Sequence, residues 1–248
     1  MAEPSAPADA EPILVSDREG IRTIVLNRPA ARNAMTRAMR ADFARLIGRT
    51  AEDAEIGAVI LTGAAGCFSA GVDLKDRPSS AAPVKPDPAS ALRSLGKPVI
   101  AAIDGPCLTG ALEMALSCTV MLATPAARFA DTHCKVGFFP RWGGGALLTR
   151  TVGVQRAAQM MLTGDPIDAG TALAWGIVNE IVEPAKLLAR ARELAMTMIA
   201  RAQAQPLAFD LHMQFLRDVA AGKDAVSSEA AMLGLFDDVR TERMIAKP

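Results

Sequence analysis

Residues 97–118 read KPVIAAIDGPCLTGALEMALSC. Within them Pro98–Ile103 is an unbroken apolar run that stops at Asp104-Gly105. A run of that length with no polar alternation suits a strand buried on both faces. A glycine-containing turn follows, and the helix-forming residues Ala111–Ser117 predict a helix that begins near Gly110. Strand, tight turn and helix in one short stretch are the unit of an α/β fold with parallel pairing.

Working outward, the same pattern recurs. Ala58–Leu61 is a short buried strand ending at Thr62-Gly63, and Val120–Ala123 is a third, followed by Arg128–Ala130. Repeated strand-turn-helix units of this size can stack as a spiral. Ile13–Val15 and Ile21–Leu26, joined by the turn-prone Asp17–Gly20, predict a hairpin. Asn33 is placed to cap a helix that carries Met35, Met39, Phe43, Leu46 and Ile47 on one face. The segment Lys75–Leu95 holds Pro78, Pro83, Pro86 and Pro88 and predicts a mobile surface loop rather than a long regular element. Beyond Val154 the reading is helical, over Arg156–Leu162, Ala169–Trp175, Lys186–Arg201 and Leu207–Ala220. The expected organisation is a disordered tail over 1–11, an α/β core over 12–190 and a helical region over 191–248.

Composition narrows the functional classes. The chain has 248 residues, half of them hydrophobic (50%) and 22% charged, which suits one sizeable domain with a small appendage. Lys and Arg total 27 and Asp and Glu total 27, so no global field favours nucleic acid or an anionic membrane. The four cysteines (Cys67, Cys107, Cys118, Cys134) form no CxxC pair and no metal-ligand spacing, and read as reduced thiols packed like small hydrophobes. The opening MAEPSAPADAEP lacks the basic and apolar regions of a signal peptide. No apolar run approaches the ~18 residues that span a bilayer. A cytoplasmic location is expected.

Two segments are candidates for chemistry. In Cys67–Leu74 the small residues Ser69, Ala70 and Gly71 let a ligand approach the backbone, and Asp73 is placed to cap a short helix; an ordinary turn after a strand is the plainer reading. At Gly110 the unpaired N–H groups of a helix start point outward and suit an oxyanion. Glu113 lies three residues further on, where a first-turn carboxylate is also explained by the helix dipole or by bonding back to the cap.

The order NRP (27–29), NAM (33–35), VILTG (59–63), FSAGVDLKD (68–76), residues 97–118, ARFADTHCKVGFFPRWGGG (127–145) and MLTGDPIDAGTALAWGIVNEIV (161–182) resembles the crotonase superfamily of enoyl-CoA hydratases and isomerases. The resemblance runs from about Ile13 to the C-terminus. It implies a crotonase-like spiral of repeated ββα units with a C-terminal helical trimerisation region. The substrate it implies is an acyl-CoA, with coenzyme A as part of the thioester and no separate cofactor or metal. The assembly it implies is a homotrimer or a dimer of trimers.

Residue by residue, the resemblance puts the oxyanion-hole amides on Ala70 and Gly110. It assigns coenzyme A contacts to Arg28, Ala31, Arg32, Ala70, Gly71, Val72, Asp73 and Leu74; Trp142, where the sequence departs from the family, is placed to form an apolar wall near the acyl chain. Lys75 and Lys97 are further candidates for the phosphates. Arg240, Arg243 and Lys247 match the basic tail by which such trimers complete the site. Glu113 falls on the first of the two glutamates that handle water in the hydratases. His133 stands where the second is usual. A histidine is a competent acid or base near neutral pH, so His133 either replaces that carboxylate or lines the pocket. Asp131, two residues earlier, is a further acid candidate, and His212 is structural. Arg141, where the family has glycine, either attracts a carboxylate, pairs with an acid or faces solvent. The implied activity is a lyase reaction, enoyl-CoA hydration, with isomerisation, decarboxylation or acyl-CoA binding without turnover as alternatives.

Overall fold

The computed structural model describes residues 11–76 and 82–245, with side chains to Val239. The expected disorder of 1–11 therefore lies outside the described residues except at Glu11, and so do Arg77–Ala81 of the proline-rich segment and the side chains of Arg240, Arg243 and Lys247.

The strands are β1 (Ile13–Arg18), β2 (Ile21–Leu26), β3 (Ala58–Gly63), β4 (Val99–Ile103), β5 (Pro106–Leu108), β6 (Val120–Ala123), β7 (Arg128–Ala130), β8 (Ile167–Asp168) and β9 (Glu180–Ile181). One sheet has the order β1-β2-β3-β4-β6-β9 and a second the order β5-β7-β8. β1 and β2 form the predicted antiparallel hairpin. β2, β3, β4, β6 and β9 run parallel. Twice the chain leaves the large sheet and enters the small one within a few residues, from β4 to β5 and from β6 to β7. An isolated parallel bridge between Ser69 and Cys107 adds the corresponding rung after β3. This is the ββα spiral: each turn of chain gives one strand to each sheet and then a helix. β4 is buried at every position, as is β3 up to Thr62, which explains their uninterrupted apolar runs.

The helices are α1 (Arg37–Glu52), α2 (Pro88–Ser94), α3 (Gly110–Ala115), α4 (Gly144–Val152), α5 (Val154–Thr163), α6 (Ala169–Ala174), α7 (Leu187–Ala204), α8 (Pro206–Ala220) and α9 (Ala225–Ile245). α1 buries Met39, Phe43, Leu46 and Ile47 in the core. Its cap is not Asn33 but Thr36, whose Oγ1 accepts the Met39 N–H at 3.1 Å. Asn33 is fully buried at φ 54° and serves as a tie instead: its amide donates to Ala64 O and Cys67 O, and its Oδ1 accepts the Arg28 N–H. The proline-rich segment also differs from expectation, since Asp87 caps α2 through the Ser90 N–H at 2.8 Å and Pro88 occupies its first turn. Proline is tolerated there because that N–H has no helical partner.

The chain divides into two compact units, residues 1–195 and 196–248, five residues beyond the boundary expected at 190/191. In the second unit α8 and α9 pack on each other and expose Leu216, Val226, Leu233 and Leu235. No helix among the described residues is long and apolar enough to cross a membrane.

Candidate active site

A cavity of about 810 Å³ in the first unit is lined by residues from five segments: α1, the Ala70–Leu74 strip, residues 82–88 leading into α2, the β5–α3 turn with the start of α3, and the loop 132–142. Ala70, Val72, Leu74, Gly110, Glu113, His133, Arg141 and Trp142 all line it. Arg28, Ala31, Arg32, Gly71 and Asp73 do not.

The backbone strip after β3 is held from below by the Asn33 tie and by Ser69, whose Oγ donates to Asn33 O at 2.8 Å and accepts the Gly71 N–H at 3.0 Å. The Ala70 N–H donates to Arg32 O at 2.9 Å. That amide is already satisfied, which corrects its expected role as an oxyanion donor. The Val72 and Gly110 N–H groups, in contrast, have no acceptor among the described residues. They lie on two chain segments in close approach: a Cβ added to Gly71 would be 3.1 Å from Gly110 N and 2.2 Å from Thr109 Oγ1. Only glycine, at φ 90°, permits that approach.

Glu113 is 4% exposed. Its carboxylate does not bond back to the helix cap. Oε1 accepts the Trp142 N–H at 2.8 Å and the Gly144 N–H at 2.9 Å, across from the start of α4. Bonds from amides to a charged group are worth about 1.5–3 kcal/mol each and offset only part of a desolvation cost of several kcal/mol. Burial pushes the Glu113 carboxyl above the usual carboxylate range, opposed by those two amides and by His133. Oε2 remains, and it faces His133 Nε2 at 3.6 Å. His133 is held in turn by Asp131, whose Oδ1 lies 2.5 Å from Nδ1 and accepts the His133 backbone N–H at 3.1 Å. His133 lies past the end of β7 and immediately precedes a 3-10 turn over Cys134–Val136, so the two side chains meet outside the strand. The other histidine, His212, bonds Ala208 O within its own helix.

Trp142 packs over the Gly110 backbone, where an added Cβ would be 2.7 Å from its ring. Arg93 of α2 fixes the same loop by donating to Trp142 O at 2.9 Å and to Ser117 Oγ at 2.7 Å. Sequence reading missed Arg93 because it falls in the stretch read as a loop.

Arg28 pairs with Asp73 at 2.9 Å and donates to Ala34 O, which stitches the NRP segment to the strip. Arg32 ends a 3-10 turn over Pro29–Ala31 and contributes its carbonyl. Lys97 is drawn away from the cavity, donating to Thr50 O and Asp53 O. Lys75 does not line the cavity either. The cations that do are Arg37, Arg40, Lys85 and Arg141, the first three unrecognised in the sequence. No group of three metal-ligating side chains occurs among the described residues.

The family model described as enoyl-CoA hydratase/isomerase matches residues 16–244. The chain is 37% identical over 192 residues to an Arabidopsis thaliana protein named probable enoyl-CoA hydratase 1, peroxisomal, covering 76% of this chain and 72% of that one. It is 34% identical over 210 residues to the 2,3-dehydroadipyl-CoA hydratase of Escherichia coli K12, covering 83% and 81%. The crystal structure of an enoyl-CoA hydratase from Mycobacterium avium superposes with a TM-score of 0.76 at 37% identity, over 94% of this chain and 98% of that one.

Proposed function

This chain belongs to the enoyl-CoA hydratase/isomerase family, and from that membership and the cavity we propose that it is a lyase that adds water across the double bond of a 2-enoyl-CoA. The observation that carries the reading is the convergence, on one cavity, of two unpaired amides and one acid–base pair. The Val72 and Gly110 amides receive the thioester oxygen as it gains enolate charge, each donor supplying about 3 kcal/mol. Glu113 Oε2 takes a proton from the attacking water and His133 gives one to Cα. The two atoms are 3.6 Å apart, and a water set to one side of the pair, toward the cavity, is within hydrogen-bond reach of both.

The Ala70–Leu74 strip accommodates coenzyme A, and Arg37, Arg40 and Lys85 supply positive charge for its phosphates. Hydration is redox-neutral and its catalytic groups are all protein groups, so the reading assigns no separate cofactor. It places the protein in fatty-acid metabolism such as β-oxidation and in the cytoplasm, as a homotrimer or dimer of trimers whose contacts use the exposed apolar residues of α8 and α9.

A second reading uses the same enolate for isomerisation or decarboxylation. Arg141 favours it: it lines the cavity with no ion-pair or hydrogen-bond partner among the described residues, as a cation awaiting a substrate carboxylate would. The test is loss of the enoyl-thioester absorbance for a series of chain lengths. Hydration is expected for at least one substrate and is abolished in Glu113→Ala; no turnover at any chain length would sink the proposal.

A further inference from the structure

We propose that Asp131 is a positioning residue that fixes the His133 ring so that Nε2, and not Nδ1, is the nitrogen exchanging protons at the reacting water. The inference rests on the hydratase reading above for its kinetic consequence, but its structural content stands apart from it.

Asp131 is 5% exposed and does not line the cavity, whereas its neighbours Thr132 and His133 do. It therefore acts through His133 and not on a substrate, which corrects its expectation as an independent acid. One of its oxygens, Oδ1, meets two donors of the same residue: the backbone N–H of His133 at 3.1 Å and ring Nδ1 at 2.5 Å. An ionised carboxylate only accepts, so Nδ1 must carry a hydrogen. Anchored at backbone and ring, the imidazole cannot flip, and Nε2 is directed at Glu113 Oε2, 3.6 Å away. That separation is beyond a direct hydrogen bond and suits one bridging water.

The proton balance closes with this arrangement. The cycle starts from Glu113 carboxylate and His133 imidazolium, with protons on both Nδ1 and Nε2. Water forms the O–Cβ bond and gives its proton to Glu113 Oε2, the C=C electron pair moves toward the thioester, and the Nε2 proton forms the new C–H bond at Cα. Glu113 is left protonated and His133 neutral with its proton on Nδ1. Transfer from Oε2 to Nε2 restores the start. Throughout, the Asp131 carboxylate keeps Nδ1–H occupied, facing a positive ring at the start of the cycle and a neutral one after the proton transfer to Cα.

The experiment is nitrogen-15 NMR of histidine-labelled protein in a His212→Gln background, which leaves His133 as the sole imidazole. In the neutral ring the expected state is Nδ1 protonated and Nε2 bare; a bare Nδ1 overturns the proposal even before any variant of Asp131 is made. Asp131→Ala is expected to lose that preference and to lower kcat roughly 10- to 100-fold with KM little changed. Added to His133→Gln it should cost nothing further. An equal loss of kcat in both backgrounds marks a merely structural role and overturns the proposal. If the wild-type chain hydrates no enoyl-CoA, the hydratase reading fails while the tautomer measurement still decides this one.

Discussion

A Cβ placed on Gly144 would lie 2.2 Å from Cγ of Glu113, so the carboxylate side chain is seated directly against the backbone that donates to it. The glycine is required for this approach and not for an unusual φ. Gly144→Ala is expected to displace Glu113 by a fraction of an ångström or more, and displacement of that order costs about 100-fold in rate. Steady-state hydration kinetics on a variant with an unchanged circular dichroism spectrum check it; kcat within a factor of about two of wild type would show that Glu113 placement does not limit the reaction.

Glu113→Gln separates activity from stability. Burial raises the Glu113 pKa in the folded chain. A carboxyl with a folded pKa above its unfolded one destabilises the fold once ionised: the penalty is absent below the unfolded pKa, grows as pH rises through the two values and is constant above. The amide keeps an acceptor for the Trp142 and Gly144 N–H groups and carries no charge. The variant should melt higher than wild type at neutral pH, with the difference vanishing in acid, while hydration falls about 10²–10⁴-fold. Thermal melts across pH alongside the assay test both halves.

Thr109 is a β-branched residue at φ 49° and ψ −116°, a conformation suited to glycine, and its hydroxyl donates to Ala70 O at 3.2 Å. It stands between the two amide-bearing segments. Relief of strain in Thr109→Gly is worth about 1–3 kcal/mol and is offset by glycine entropy of about 0.5–1 and a lost hydrogen bond of about 1. Stability should change little, and kcat should fall because the segments are no longer tied. Thr109→Val keeps the strain and loses only the bond, so it should be less stable by about 1 kcal/mol in denaturant melts.

The Arg28–Asp73 pair joins the NRP segment to the strip. Burial pushes the Asp73 carboxyl up, but the Arg28 guanidinium and the Lys75 amide outweigh it and hold the pKa below the usual value of 3.8. A carboxyl with a depressed folded pKa adds stability above its unfolded pKa and loses it as pH falls through the folded one. Asp73→Asn should therefore be less stable than wild type near neutral pH and equal to it in strong acid, a convergence that pH-dependent melts detect.

Parts of this architecture are legible in the residues. β3, β4 and β6 announce themselves because a strand buried on both faces must be apolar throughout. β8 and β9 are two residues each and carry no periodicity. α4 begins inside Gly143–Gly145, residues that ordinarily mark a turn, because contact with Glu113 demands the glycine. α2 was masked by surrounding prolines, although Asp87-Pro88 is itself a capping signal. At the site, the motifs placed Glu113, His133 and Gly110 on one cavity. Which amide of the strip is free was not readable, since it depends on Arg32 O, a partner 38 positions away in sequence from Ala70. Asp131 was legible as a neighbour of His133 but not as the partner of its ring, because that contact forms past the end of β7.

In the proposed reaction water adds across the double bond with Glu113 and His133 as the proton-handling pair. The most direct measurement is product mass after incubation of 2-enoyl-CoA substrates in water enriched in oxygen-18. The expected product is heavier by one labelled water, with the label on Cβ, formed by the wild-type chain and lost in Glu113→Gln and His133→Gln. A product of unchanged mass, a product lighter by carbon dioxide from a carboxylated thioester, or labelled product undiminished in both variants would contradict it.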